Sequence, residues 1–338
     1  MIASSLQLDR SHWPHRLALV LACATFPLLW VGGLVTTTDA GMAVPDWPST
    51  YGYNLFLYPW QSWLAGPWDL FVEHGHRLLA SAVGMLTIAL VVVLWRSEPR
   101  AWVRKVGIVA LALVLLQGLL GGMRVLLDER TLAMLHGCTG PLFFAVTVSL
   151  AVFTSKSWLT NDIPLVSPQS GQVRRLVVVT AVLFYLQLVF GAVLRHMPIE
   201  SQPATFALAV RFHLLLAGVL VLHVALLAWL VVRHFRQIRP MLRLTLSLVG
   251  LLALQLLLGA STWIVKFSVP TWAADWFPGN EFANTAGGWL QTHIITGHVA
   301  VGSLLLGTSV ATALLALRRL ASSAPQYSGA ASTIGATT

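Results

Sequence analysis

The stretch at residues 71–95, FVEHGHRLLASAVGMLTIALVVVLW, decides the fold. From Leu78 to Trp95 it carries no charge, and a helix needs about 20 mostly apolar residues to cross the hydrocarbon of a bilayer. Its first turns hold Glu73, His74, His76 and Arg77. Polar and ionisable groups are costly at such a depth, so they read as functional.

Seven more segments have the same character, near 17–37, 104–125, 132–154, 174–195, 206–232, 241–265 and 289–317. Hydrophobic residues make up 57% of the 338 and charged residues 10%, with a mean hydropathy of +0.76. These values place the chain in the membrane class and exclude a soluble enzyme. The expected fold is therefore all-α and integral to the membrane, with eight transmembrane helices.

The net charge of +9 does not point to nucleic acid, because the basic residues follow the pattern that sets membrane topology. Arg10 and Arg16, then Arg96, Arg100, Arg104 and Lys105, then Lys156, Arg174 and Arg175, then Arg233, Arg236, Arg239 and Arg243, then Arg318 and Arg319 all flank one side. The other side carries Asp39, Asp46, Asp69, Asp128, Glu129, Glu200, Asp275 and Glu281. Both termini are thus expected in the cytoplasm, in the plasma membrane of a prokaryote. The first apolar segment lacks a small-residue cleavage site and reads as a retained span.

Cys23 and Cys138 both fall within spans, which argues against a disulfide framework, a thiolate metal site or covalent haem attachment. The tail from Ala321 has a composition that favours disorder. Residues 39–69 and 266–288, both outward loops, are rich in tryptophan, including Trp47, Trp60, Trp63, Trp68, Trp272 and Trp276. Such indoles form either an interfacial belt or a lid over a flat ligand.

An internal repeat organises the spans. Gln117 precedes Gly121, Gln187 precedes Gly191 and Gln255 precedes Gly259, each by four residues, and Gly33 is a reduced version in the first span. The even-numbered spans carry His76, His136, His213 and His293 near their outer ends. His136 and His293 share a His-x-x-x-Gly pattern with Gly140 and Gly297, while Ala80 and Ala217 follow His76 and His213. We expect a four-helix unit duplicated in tandem: an N-terminal bundle at 1–155, a cytoplasmic linker at 156–173, a C-terminal bundle at 174–320 and a tail at 321–338.

Four imidazoles in two bundles suit two haem sites. Imidazoles from different helices can hold an iron porphyrin from opposite faces, while apolar side chains solvate the macrocycle. Arg77 and Arg211 lie next to these histidines and are candidates to pair with propionates, the alternative being that they snorkel to lipid headgroups. Zinc or non-haem iron fits less well, since a carboxylate accompanies His76 alone. His74 reads as solvated or interfacial, and His223 and His298 as hydrogen-bonding or accessory groups.

The halves differ at one position. Glu73 stands one turn before His76, whereas Val210 occupies the matching place before His213. A carboxylate beside one pair marks the first half as the place of chemistry and the second as a cofactor site. The alternative for Glu73 is a solvated residue assisting the helix N-terminus.

With these residues in view, the chain resembles the haem A synthase family from Gly32 to about Leu317. The resemblance rests on Gly32-Gly33-x-x-Thr36, Glu73-x-x-His76-Arg77, the later histidines and the 4+4 organisation. It implies oxidation of a methyl group of haem O to the formyl of haem A, through successive hydroxylations, for cytochrome c oxidase assembly. It implies that His76 and His136 flank the substrate haem, that Glu73 is the required carboxylate, and that His213 and His293 bind a resident haem b. Haem O synthase, an electron donor, the bilayer and a second copy of the chain are the implied partners. Two other classes remain open: a bis-haem b-type electron-transfer protein and a transporter built on repeats.

Overall fold

A computed structural model describes residues 12–160, 163–198, 200–269 and 287–321. Eight of its helices are long and apolar enough to cross a membrane: α1 (Trp13–Thr37), α3 (Trp68–Ser97), α4 (Ala101–Leu127), α5 (Arg130–Thr154), α7 (Ser170–His196), α8 (Pro203–His234), α9 (Arg239–Phe267) and α10 (Trp289–Arg319). Two short helices, α2 (Trp60–Leu64) and α6 (Lys156–Leu159), lie between them. The chain is an all-α integral, multi-pass membrane protein.

Local chemistry explains the boundaries. Proline enters α1, α8 and α9 within their first two positions, where its missing N–H costs no helical hydrogen bond. The residue before proline disfavours helical geometry, and α3 and α7 stop short of Pro99 and Pro198. Asp128, with φ at 49°, turns the chain between α4 and α5. Inside the spans, hydroxyls bond back to their own helix, as in Thr25 to the Leu21 carbonyl and Thr87 to that of Val83. In a solvent without water that satisfies a polar group at little cost.

Helix α1 packs against α3 and α5, and α4 against α3 and α5, so these four close a ring. The contacts α7–α8, α8–α9, α9–α10 and α7–α10 close a second ring. Each ring has its own apolar cluster, the first built on residues such as Leu21, Leu90, Leu94 and Leu150, the second on Leu220, Leu227, Leu248 and Leu305. The rings meet where α10 touches α1 and α5, and α5 touches α7. Close approach there depends on small residues: Gly307 faces the Phe144 ring and Gly33 faces Thr296. Helices α5 and α10 are accordingly 61% and 72% buried along their most apolar stretches, against 17–28% for the other six.

The stretch between the rings is structured where it is described. Leu165–Val166 pairs in parallel with Leu320–Ala321, Arg174 donates to the carbonyls of Leu317 and Leu320, and Arg319 donates to that of Ser157. The expectations for the 322–338 tail, and for Trp272 and Trp276, lie outside the described residues.

Candidate functional site

Each ring holds two facing imidazoles. His76 of α3 and His136 of α5 have ring centroids 6.4 Å apart with planes at 85°. His213 of α8 faces His298 of α10 at the same 6.4 Å, with planes at 68°. This corrects the expected pairing of His213 with His293. The His293 ring stacks on Trp289 at 4.4 Å, and its Nδ1 lies 2.9 Å from the Trp289 carbonyl. Both histidines fit His-x-x-x-Gly, but they are five residues apart and point to different faces of α10. Two signals separate them. His298 lies nine residues into its helix, as His76 lies eight into α3, whereas His293 lies four into α10. Gly302, four residues after His298, packs on Gln255 as Gly140, four after His136, packs on Gln117.

The glycines of the repeat explain the geometry. A Cβ on Gly32, Gly121, Gly191 or Gly259 would lie 3.0, 3.2, 3.4 or 3.0 Å from Cε1 of His76, His136, His213 or His298 respectively. Every imidazole therefore sets its Cε1 corner against a glycine of a neighbouring odd-numbered span of its own ring. In the first span the seat is Gly32, not Gly33. The glutamines one turn earlier fix the histidine-bearing helices: Gln117 gives its carbonyl to His136 at 3.2 Å and its side chain to Thr139, and Gln187 donates to the His213 carbonyl at 3.0 Å.

The pairs suit a metal held between two imidazoles. Nδ1 of His76, His213 and His298 is buried with no hydrogen-bond partner among the described residues, so a buried polar atom in each pair is left for a ligand to satisfy, while His136 Nδ1 meets the Gln117 carbonyl. Two metal–imidazole bonds of about 2 Å each place ring centroids about 6 Å apart. Among the described residues no three of His, Cys, Asp and Glu gather closely enough to form a larger ligand set. Two axial nitrogens with an apolar surround match the requirements of haem iron.

Glu73 is buried, not solvated at a helix mouth. Its Oε1 accepts from Arg77 Nη2 at 2.8 Å and its Oε2 from the Val44 N–H at 2.9 Å. Arg77 also donates to the carbonyls of Val44, Asp46 and Ser49 at 2.7–2.9 Å, so its guanidinium is committed to the outer loop. Residues 44–49 are thereby tied to α3 beside His76, and Trp47 presses on Gly122, the neighbour of the glycine that seats His136, leaving no room there for a Cβ. Arg211 is exposed. Neither arginine proposed for propionates is thus a buried, uncommitted cation.

His74 is buried, which corrects its solvated reading. Its Nδ1 lies 3.1 Å from Thr50 Oγ1 and its ring packs on Tyr58 and Trp63, so it pins the loop from beneath. His223 meets Thr180 Oγ1 at 3.4 Å, an accessory contact. The sequence reading missed two half-buried arginines. Arg124 of α4 donates to the Gly41 carbonyl at 2.6 Å within electrostatic reach of His76 and His136. Arg195 of α7 donates to Gly33 and Thr37 of α1 within reach of His298. Their positions three and four residues after Gly121 and Gly191 are the signal that would have found them.

The family model described as cytochrome oxidase assembly protein, COX15-CtaA, matches residues 67–208. That stretch includes Glu73, His76, Arg77, Arg124, His136 and Arg195 and ends before His213. Curated relatives named heme A synthase align as well. The protein of Shouchella clausii is 28% identical over 186 residues, covering 54% of this chain and 58% of that protein. The protein of Geobacillus kaustophilus is 27% identical over 239 residues, covering 64% and 72%. The protein of Brucella ovis is 30% identical over 146 residues, covering 41% and 39%. The chain thus spans little more than half the length of the Shouchella clausii relative.

Proposed function

We propose, from the match of residues 67–208 to the COX15-CtaA family of cytochrome oxidase assembly proteins, that the chain is a membrane oxidoreductase of that family converting a methyl substituent of haem O to the formyl group of haem A. One observation carries the reading: two imidazole pairs with the same 6.4 Å separation, of which, among the described residues, the first alone has a buried carboxylate one turn away. Equal geometry indicates the same kind of ligand in both halves. Unequal surroundings indicate different uses.

In this reading residues 1–155 form the catalytic half and 174–320 the cofactor half. His76 and His136 hold the iron of the substrate, haem O, delivered by haem O synthase. His213 and His298 are the residues that would hold a resident haem b, which would supply one-electron redox chemistry when bound. Glu73 and Arg77 hold residues 44–49 in place, so that Trp47 shields the first site from water. A dry site strengthens the influence of the buried Glu73 charge on the reacting methyl carbon. Basic residues at the ends of α3, α8 and α10 set both termini in the cytoplasm and both imidazole pairs toward the outer face.

The test is haem extraction from cells that make haem O and express this chain, together with pigment analysis of the purified protein. Haem A in the cells and tightly held haem B in the protein are the expected results. Low-spin haem B in the protein with no haem A in the cells would leave an electron-transfer protein instead.

A further inference from the structure

Helix α7 ends with an arginine whose surroundings are incomplete. Arg195 Nη2 donates to the Gly33 carbonyl at 2.9 Å and to Thr37 Oγ1 at 2.7 Å, both on α1 of the other ring. Thr37 also accepts from Thr296 of α10, two residues before His298. These contacts fix the guanidinium plane. Its other terminal nitrogen, Nη1, is buried and has no hydrogen-bond partner among the described residues. The ion pairs among the described residues are Glu73–Arg77 and Glu98–Arg100, so no carboxylate of the described chain compensates Arg195.

An arginine at membrane depth with donors unused is costly, and such residues mark a ligand or an ion path. The position says which ligand. Arg195 is one turn beyond Gly191, the seat of His213, and therefore on the same face of α7, displaced outward along the helix. It is also within electrostatic reach of His298. The group that spans these two imidazoles in the haem reading is a flat apolar macrocycle with carboxylates on one edge. Guanidinium is the side chain whose paired donors match a carboxylate.

We propose that Arg195 is the carboxylate-binding residue of the second site, with Nη2 anchored on α1 and Nη1 offered to a propionate of the tetrapyrrole held by His213 and His298, an assignment that rests on the haem reading above. It replaces Arg211, which is exposed, in that role. The anchor also ties the second site to α1, whose Gly32 seats His76 of the first.

Two anions share the required chemistry, a propionate and a lipid phosphate, and masking the carboxylates separates them. Full-length protein carrying His76→Ala and His136→Ala, which leaves the second site, is purified in haem-depleted form. It is titrated with iron protoporphyrin IX and with its dimethyl ester while the low-spin bands are followed. With Arg195 intact, the free acid binds more tightly than the ester by roughly ten- to a hundredfold. Arg195→Gln brings the two affinities together, and Arg195→Lys, which keeps the charge and loses the fork, restores part of the difference. The ester still forms the bis-histidine spectrum in Arg195→Gln, which shows that the variant is folded. A free-acid preference that survives Arg195→Gln, or its absence in the parent, overturns the proposal while leaving the haem reading intact. Loss of co-purified lipid phosphate in Arg195→Gln without any change in the acid-to-ester ratio assigns the guanidinium to lipid and also overturns it. A parent protein that binds neither porphyrin removes both this proposal and the haem reading.

Discussion

His298 sets its Cε1 corner against Gly259 of the adjacent span, 3.0 Å from where a Cβ would stand, and this repeats the relationship of His76 to Gly32 in the other ring. A planar ring held by a helix backbone on one side has its orientation set before any ligand arrives. The arrangement is a preorganised axial position, and it identifies which of two histidines on α10 belongs to the site.

Replacing His298 with alanine should therefore abolish the low-spin spectrum of the second site, whereas His293→Ala should retain it, because the His293 ring is stacked on Trp289 away from His213. Haem content and visible spectra of both purified variants check this. Loss of haem in His293→Ala with full retention in His298→Ala would restore the pairing expected from the sequence.

Glycine substitutions should follow the spacing. Alanine raises helix propensity by roughly 1 kcal/mol over glycine, so each variant gains or keeps helical stability. Overpacking a fitted contact costs about 1–3 kcal/mol, which weakens ligand binding by about ten- to a hundredfold. Gly32→Ala and Gly259→Ala, at 3.0 Å, should thus lose more haem than Gly191→Ala, where 3.4 Å is ordinary contact. Equal haem content in all three, measured against protein by pigment extraction, would show that the seats are not fitted.

Much of this was legible in the sequence, for physical reasons. Apolar runs of the length of a bilayer leave the backbone no choice but helix, so the eight spans and the all-α class follow from hydropathy alone. The Gln-x-x-x-Gly repeat marked the helices that seat the histidines. The choice between His293 and His298 was not legible from His-x-x-x-Gly, because both satisfy it and the register between α9 and α10 is decided by packing. Arg77 illustrates a second limit: its neighbourhood to His76 in sequence suggested a ligand contact, yet both its terminal nitrogens are taken up by loop carbonyls about thirty residues away and by Glu73. Arg195 was passed over because a basic residue at a helix end resembles a topology signal.

Acid should loosen the loop over the first site. Burial by itself raises the Asp46 carboxyl, but hydrogen bonds from the Gly52 N–H, the Ser49 hydroxyl and the Tyr51 N–H outweigh it and hold the group below its usual 3.8. A carboxyl depressed in the folded state contributes stability above the unfolded value, and that contribution disappears as pH falls through the folded one. The loop should resist protease from neutral pH down to the usual carboxyl value of 3.8 and become cleavable only as the pH falls below it. Asp46→Asn should be cleavable already at neutral pH. A loop of unchanged resistance in that variant would remove Asp46 as its anchor.

The Glu73–Arg77 pair separates the work of a charge from the work of an anchor. Removing one partner of a buried ion pair typically costs about 3–5 kcal/mol, since the other charge is left uncompensated. Arg77→Gln should therefore release residues 44–49, expose Trp47 to quenchers and expose the loop to protease. Glu73→Gln is milder, because the amide oxygen still accepts from either Arg77 or the Val44 N–H. The loop should stay closed and the spectrum of the second site, in the other ring, should not change. If the carboxylate acts on the substrate as a charge, Glu73→Gln nevertheless stops haem A formation, measured by extraction and chromatography from cells making haem O. Normal haem A from Glu73→Gln together with lost haem A from Arg77→Gln would make the pair an anchor for the Trp47 cover and nothing more.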